Sequence, residues 1–329
     1  MTARIALDAM GGDHAPRQLV LGALDAAASG VDVVLVGDAA SLRLELEAAG
    51  GDLPIVDAPE RVEMGDDPAA AVRRKRGSSV AVAAHQVATG EAVGMVSAGS
   101  TGAAMAAAAI GIGRLDGVSR PAIAAIMPMG TPAVVLDVGA NLEVKPSHLA
   151  DFGVMGSVLA EIHLGLERPR VGLLSNGEEP GKGRAVEKEA HHLLAAMQLN
   201  FLGNVEGRDL GRGRVDVFVT DGFTGNVLLK TAEGIADAVG RMVAEAIAAG
   251  DGDDGAYGES VARVMPRLLA LGERLDPETH GGAHLLGVRG TVVIAHGSSS
   301  RRAVANALRM ASAGAGENLP GRIEAGLRG

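Results

Sequence analysis

The chain has 329 residues, with 30 Lys+Arg against 40 Asp+Glu for a formal charge of −10, no Cys, no Trp, one Tyr and four Phe. That length allows one large domain or two modest ones, and an apolar share of 47% is globular rather than disordered composition. The acidity excludes a general nucleic-acid binder, the missing Cys excludes disulfides, thiolate-held zinc, iron–sulfur clusters and a Cys nucleophile, and the few aromatics argue against a base-stacking platform.

Arg4–Asp8 reads as a first strand, entered at once from a start with no secretory apolar segment, so a cytoplasmic location is expected. Pro16 suits the first turn of a helix to about Ser29. Val31–Val36 is a second strand, Asp38 caps a helix to about Ala49, and Pro54–Val56 is a short third strand. The polar stretch 64–76 ends in Arg73-Arg74-Lys75-Arg76, ahead of a helix over Ser79–Thr89. Ala92–Gly113 carries no charge over 22 positions, enough to span a bilayer on length alone. It is Ala-rich and broken by Gly94, Gly99, Gly102, Gly111 and Gly113, so it reads as strand, loop and buried helix. Pro121–Met127 and Ala133–Asp137 are strands joined by a proline turn, Pro146–Leu164 is a helix, and Arg170–Leu174 is a strand. A helix to Met197 follows the loop Ser175–Gly183, and Val215–Thr220 is a strand. A long helix runs from Thr224 to Ala249, an acidic glycine-rich link covers Gly250–Gly258, and another helix covers Glu259–Gly272. Thr291–Ile294 is the last strand, with a helix from about Ser299. Apolar strands alternating with helices predict an α/β fold with a mostly parallel sheet covered on both faces.

The strand ends carry the chemistry. Asp8, Asp137 and Asp221 each end a strand and enter a glycine turn, and three further strands end in Ser97–Gly102, Ser175–Glu179 and Ala295–Ser300. Ligands of open α/β sheets sit beyond the carboxyl ends of the strands, so six such loops predict one crowded polar rim. Glycine lets main-chain N–H groups come close, and the following helix N-termini add positive potential; the rim suits an anion, most simply phosphate. No loop matches a standard nucleotide motif: Gly177-Glu-Glu-Pro-Gly181-Lys182-Gly183 is one residue short of the Walker pattern and lacks its Ser/Thr. The three Asp residues either bind Mg²⁺ or, more commonly, cap helices and brace loops; no metal is expected. Lys182, in its glycine loop, is the best candidate cation for phosphate or a developing oxyanion; Lys145 and Lys230 are weaker ones. His296 reads either as an acid/base or as a loop histidine bonded to backbone. Val261, Val264, Met265, Leu268 and Leu269 form one apolar helix face with Arg263, Arg267 and Arg274 off it, which fits a membrane surface or a dimer or core contact.

Taken together, the motifs resemble the bacterial phosphate acyltransferase family, the acyl-carrier-protein:phosphate transacylases of phospholipid synthesis. The resemblance runs nearly end to end. It is carried by Ile5-Ala-Leu-Asp-Ala-Met-Gly-Gly-Asp13, Ser97-Ala-Gly-Ser-Thr-Gly-Ala103, Leu136-Asp-Val-Gly-Ala-Asn141 with Lys145-Pro146, Met155-Gly-Ser157, Asp221-Gly-Phe223 with Gly225-Asn-Val-Leu-Leu-Lys230, Gly281-Gly-Ala283 with Leu285-Leu-Gly287, and His296-Gly-Ser-Ser299. Thr224 replaces an expected aliphatic residue, His284 an expected Pro, and the Lys182 loop carries an extra-looking Pro-Gly.

The resemblance implies a fold like isocitrate/isopropylmalate dehydrogenases and phosphotransacetylases, as one α/β domain over 1–329 with a protruding helical tip at 235–275. It implies a homodimer that moves a long acyl chain from acyl carrier protein to inorganic phosphate without a cofactor. It also implies association of the tip with the inner face of the membrane, and delivery to a membrane glycerol-3-phosphate acyltransferase. Phosphate is then the nucleophile, so neither Cys nor Ser need be acylated. The matching loops assign Gly11, Gly12, Gly99, Ser100, Thr101, Gly102, Asn141, Gly225 and Ser298 to phosphate or oxyanion, and Lys182, His296, Asn226 and Asp221 to catalysis, with Asp137 and Asp221 bracing loops. Two rivals remain: a metal- and nicotinamide-dependent decarboxylating dehydrogenase, for which Arg73, Arg74 and Arg76 could bind a dicarboxylate, and a non-enzymatic membrane scaffold. The same basic run could dock an acidic carrier protein.

Overall fold

A computed structural model of the chain describes residues 3–63, 65–248, 255–279 and 281–328. The strands are β1 (Ile5–Asp8), β2 (Val33–Gly37), β3 (Ile55–Asp57), β4 (Gly94–Ser97), β5 (Ala122–Met127), β6 (Ala133–Leu136), β7 (Arg170–Leu174), β8 (Asn200–Val205), β9 (Val217–Val219), β10 (Ala283–Leu286) and β11 (Thr291–Ile294). The helices are α1 (Arg17–Ala28), α2 (Ala39–Ala49), α3 (Pro68–Arg74), α4 (Ser79–Ala88), α5 (Thr101–Ala107), α6 (Pro146–Leu164), α7 (Ala185–Ala196), α8 (Gly222–Ala248), α9 (Gly255–Leu275), α10 (Arg301–Gly316) and α11 (Leu319–Arg328).

Local chemistry sets the boundaries. Asp38 accepts a hydrogen bond from Ser41 N at 2.8 Å to open α2, and Asp67 accepts one from Ala70 N at 2.7 Å ahead of Pro68 to open α3. Strand residues alternate between two cores. Ile5 and Leu7 pack with Leu19, Val20, Val304 and Leu308 of α1 and α10, while Ala6, Val34 and Val36 turn toward Val80 and Ala83 of α4. A third cluster joins Val134, Leu136, Phe152, Leu159 and Ile323 under α6 and α11. Helices therefore cover both faces, which is why the strands read as nearly unbroken apolar runs.

All eleven strands belong to one sheet, in the order β3-β2-β1-β4-β11-β10-β5-β6-β9-β7-β8. β1, β2, β3, β4 and β11 are mutually parallel. β10 is antiparallel to both β11 and β5, and β5 is antiparallel to β6. β6, β9, β7 and β8 are again parallel to one another. The second set consequently runs opposite to the first. The loops after β1, β4 and β11 leave one edge of the sheet, and those after β6, β7 and β9 leave the other. The single six-loop rim expected from the sequence is corrected to two rims.

The reversal is made at the β5–β6 hairpin: β5, antiparallel to β10, still runs with the first set, and β6 runs against it. The local sequence pattern does not mark β10. That strand is four residues long, contains His284, and follows Gly281-Gly282. β8 was also passed over, because Asn200-Phe-Leu-Gly-Asn-Val at the sheet margin carries polar and glycine residues. The polar stretch before Arg76 contains α3, and the end of the chain holds a separate α11. The link expected over 250–258 lies outside the described residues up to 254, and 255–258 are helical. Among the described residues no helix is long and apolar enough to cross a membrane.

Phe152 is fully buried in the α6 core, whereas Leu44 on α2 is mostly exposed. Phe152→Ala is expected to lower unfolding free energy by about 3–5 kcal/mol in denaturant titration, and Leu44→Ala by less than about 0.5 kcal/mol.

Candidate active site

The first rim is a set of loops that bind one another. Asp8 is buried at the end of β1 and accepts hydrogen bonds from Ser97 Oγ at 2.7 Å and from Met10 N. Burial pushes its carboxyl up, against the opposing pull of Ser79, Ser97, Met10 and Gly11. Asp13 N donates to Gly297 O at 2.8 Å, and Gly99 N donates to Ser97 Oγ at 3.2 Å. Gly12 has φ +101°, and a side chain there would meet the carbonyls of Ala98 and Gly297 at 3.0 Å. Gly11 likewise faces Gly99 N at 2.7 Å, so these glycines serve loop-on-loop packing. Ser100, Thr101 and Gly102 open α5, which has seven residues, and Gly102 packs against Pro68. His296 and Ser298 are exposed and face each other, Nδ1 to Oγ, at 2.8 Å. Arg73 and Arg74 end α3, which packs on α5 in this half.

The second rim is built around Asp137. Its Oδ1 accepts from the amides of Ile123 (3.1 Å), Gly139 (3.1 Å) and Ala140 (2.9 Å). Its Oδ2 accepts from Asn141 N (2.6 Å) and Asn141 Nδ2 (2.8 Å). Burial nonetheless raises this carboxyl above its ordinary range, ahead of those bonds. Asn141 Nδ2 also donates to Pro121 O at 2.8 Å, tying the loop to the start of β5. Gly222 N donates to Asn141 O at 2.7 Å, which seats the first turn of α8 on the same loop. At Gly225 any Cβ would collide with the carbonyl oxygen of Asp137, so only glycine permits this approach.

Asp221 is 2% exposed. Its carboxylate accepts from Thr224 N at 2.8 Å and Thr224 Oγ1 at 3.0 Å, and it pairs with Arg184. Burial pushes its pKa up, but the bonds from Thr224 and Arg184 prevail and hold it below the usual carboxylate range. Arg184 also pairs with Glu187, and the two acids raise its pKa further. Arg184 thus joins the start of α7 to the start of α8. The sequence reading did not single it out. It stands two places after Lys182, but its partner Asp221 is 37 residues away and nothing local announces the pair.

Lys182 is exposed, with its stem over Gly177, and its amino group has no ion pair or hydrogen bond among the described residues. Asn226 is exposed in the first turn of α8, and Lys145 is exposed just before α6. His148 Nδ1 accepts from Lys145 N at 3.2 Å. Burial, then the charges of Arg120 and Lys145, hold this imidazole below its ordinary pKa. Lys230 lies farther along α8 and pairs with Glu233 at 2.8 Å. The N-termini of α6, α7 and α8 all open on this edge, adding their partial positive charge. Asn141, Lys182, Asp221, Gly225 and Asn226 therefore share one rim. Gly11, Gly12, Gly99, Ser100, Thr101, Gly102, His296 and Ser298 share the other. On α9, Val264 and Leu269 are exposed, and Val261, Met265 and Leu268 are half-buried. No group of three or more His, Cys, Asp or Glu residues able to hold a metal occurs among the described residues.

The fold is shared with a phosphotransacetylase from Streptococcus pyogenes (TM-score 0.65, 19% identity, 96% of this chain and 94% of that one). It is shared also with a 4-hydroxythreonine-4-phosphate dehydrogenase from Burkholderia phymatum (TM-score 0.55, 15% identity, 95% and 98%). These likenesses define a class, the α/β fold common to phosphotransacetylases and this type of dehydrogenase. In sequence, residues 3–322 match the family model described as fatty acid synthesis protein. A phosphate acyltransferase of Pelotomaculum thermopropionicum is 51% identical over 314 residues, covering 94% of this chain and 90% of the relative. The chain belongs to the phosphate acyltransferases, a family of acyl-transferring enzymes.

Two measurements check this geometry. Gly225→Ala is expected to destabilise the protein by more than about 2 kcal/mol, whereas Gly240→Ala, in open space on the same helix, should be neutral or stabilising by up to about 1 kcal/mol. Asp151, one turn after His148, is pushed up to about 6 by burial, in spite of a backbone hydrogen bond from Ser119. Its folded pKa lies above its unfolded value. Its stabilising contribution is therefore full below about pH 4 and lost as pH rises through 6. In thermal melts Asp151→Asn should gain on the wild type between pH 4 and 7.

Proposed function

We propose that this chain transfers a long-chain acyl group from acyl carrier protein to inorganic phosphate, forming acyl phosphate for phosphatidic acid synthesis, and that the second rim is its active site. The observation that carries the reading is a pair of exposed lysines with no ion pair among the described residues, Lys182 and Lys145, on the edge where three helix N-termini open and the Asn226 side chain is exposed. On the first rim Asp8, Ser97 and the amides of Gly99 and Asp13 are spent on the loops themselves.

In the proposed step a phosphate oxygen attacks the thioester carbonyl. The new C–O bond forms, the C–S bond breaks, and the carrier's thiolate leaves and takes up a proton. Lys182 neutralises the phosphate, and the exposed side-chain amide of Asn226 stabilises the tetrahedral oxyanion. Each such donor is worth about 3–4 kcal/mol. Holding phosphate against the carbonyl supplies up to about 7–11 kcal/mol. Asp137 and Asp221 keep the loops in register and take no proton. His296 and Ser298, on the opposite edge, have no part in a site formed by one chain. The protein works as a homodimer whose α8–α9 tip rests on the membrane, where a glycerol-3-phosphate acyltransferase consumes the product. Support for the tip comes from the exposed Val239, Met242, Val264 and Leu269.

With enzyme and acyl-carrier-protein thioester, adding phosphate should raise hydroxamate formation well above the direct reaction of hydroxylamine with the thioester. Lys182→Ala should cut that yield at least tenfold, about 1.4 kcal/mol in barrier, with an unchanged melting temperature. Undiminished turnover would remove Lys182 from the mechanism.

A further inference from the structure

Three large apolar side chains stand in solvent directly beside the polar rim: Leu142 at 68% exposure, Phe223 at 63% and Val227 at 51%. Their positions follow from contacts already described. Leu142 follows Asn141 and Phe223 follows Gly222, and those two neighbours are joined by the 2.7 Å hydrogen bond from Gly222 N to Asn141 O. Val227 is four residues beyond Phe223, so both lie on one face of α8. Asn226 sits between them in the chain. Apolar groups placed around a charged, water-facing site gain nothing from the core and mark a binding surface.

This patch is separate from the tip. Ile235, Val239, Met242 and Val243 are also exposed on α8. At 3.6 residues per turn they face roughly a third of a turn away from Phe223 and Val227. The near patch thus has its own direction, continuous with the site and not with the outer stripe.

We infer that Leu142, Phe223 and Val227 form the bed along which the acyl chain leaves the site, reaching past its first carbons, and set the preference for long chains. This rests on the acyl-transfer reading above. The occupant follows from the reaction. When the thioester carbonyl lies at the N-terminus of α8, next to Asn226, the chain bonded to it leaves across these three side chains, and a palmitoyl chain covers the whole bed where a butyryl chain reaches only its near edge. The pantetheine arm on the other side of the sulfur is an amide chain and is better matched by the polar rim.

The test is a comparison of kcat/KM for palmitoyl- and butyryl-carrier thioesters by hydroxamate trapping, with light scattering on every variant. Phe223→Ser/Val227→Ser and, separately, Leu142→Ser should lower the palmitoyl-to-butyryl ratio at least tenfold at unchanged molar mass. Ile235→Ser/Val239→Ser on the outer stripe should move that ratio less than twofold. An unchanged ratio, an equal fall for both donors, or an equal effect of the outer pair would overturn the assignment. So would a lowered molar mass in the near-patch variants, which would make the patch a seam between two copies. Wild-type protein that yields no phosphate-dependent hydroxamate from either donor would sink the transfer reading itself, and the bed with it. An active wild type whose variants keep the ratio would sink the bed alone.

Discussion

A buried carboxylate organises the second rim. Asp137 takes four backbone N–H groups and the Asn141 side chain onto its two oxygens, and this turns the end of β6 into a fixed platform. Without that acceptor the same amides would be left unpaired beside the sheet, at a cost of about 1–3 kcal/mol each. The platform then receives α8: Gly222 bonds to Asn141, and Gly225 lies against the Asp137 carbonyl. A second acid, Asp221, extends the frame to α7 through Arg184. The exposed groups, Lys182 and Asn226, stand on this scaffold and need not hold it up. Binding groups carried on a rigid base lose little freedom when substrate arrives, which is what a reaction run by positioning requires.

The antiparallel pairing of β6 with β5 decides what this platform faces. β5 still runs with β11 across the antiparallel β10, and β6 turns back against it, so glycine loops with similar sequences end on opposite edges. The two rims use glycine differently. Around Gly11, Gly12 and Gly99 the missing side chains let three loops pack on one another, and Asp8 and Ser97 are consumed in doing so. Around Gly222 and Gly225 they let a helix N-terminus approach a buried acid while the next residues stay open to solvent. Acyl transfer to phosphate needs the second arrangement: cations and amides available to an oxyanion, beside a surface that tolerates a hydrocarbon chain.

Much of this was legible in the residues. The alternation of apolar strands and amphipathic helices, Asp38 as a cap, the three strand-ending Asp residues and the long helix after Asp221 all follow from local pattern, and the structure contains each. Lys182 and Asn226 were visible as candidates from their glycine loops. What stayed hidden was set by distant pairing. β10 is too short to show a period, and its orientation is fixed only by hydrogen bonds to β5 and β11. Arg184 looked like one more charged residue until Asp221 came to meet it. The one-rim expectation failed at the β5–β6 hairpin: strand ends were readable, but β6 runs against β5, and β9 and β7 follow β6.

The most direct measurement is a crystal structure with phosphate at millimolar concentration. The account predicts an oxyanion within hydrogen-bond distance of Lys182 and of the Asn226 side-chain amide. Phosphate bound among Gly12, Ser100 and His296 with the α8 end vacant would contradict it.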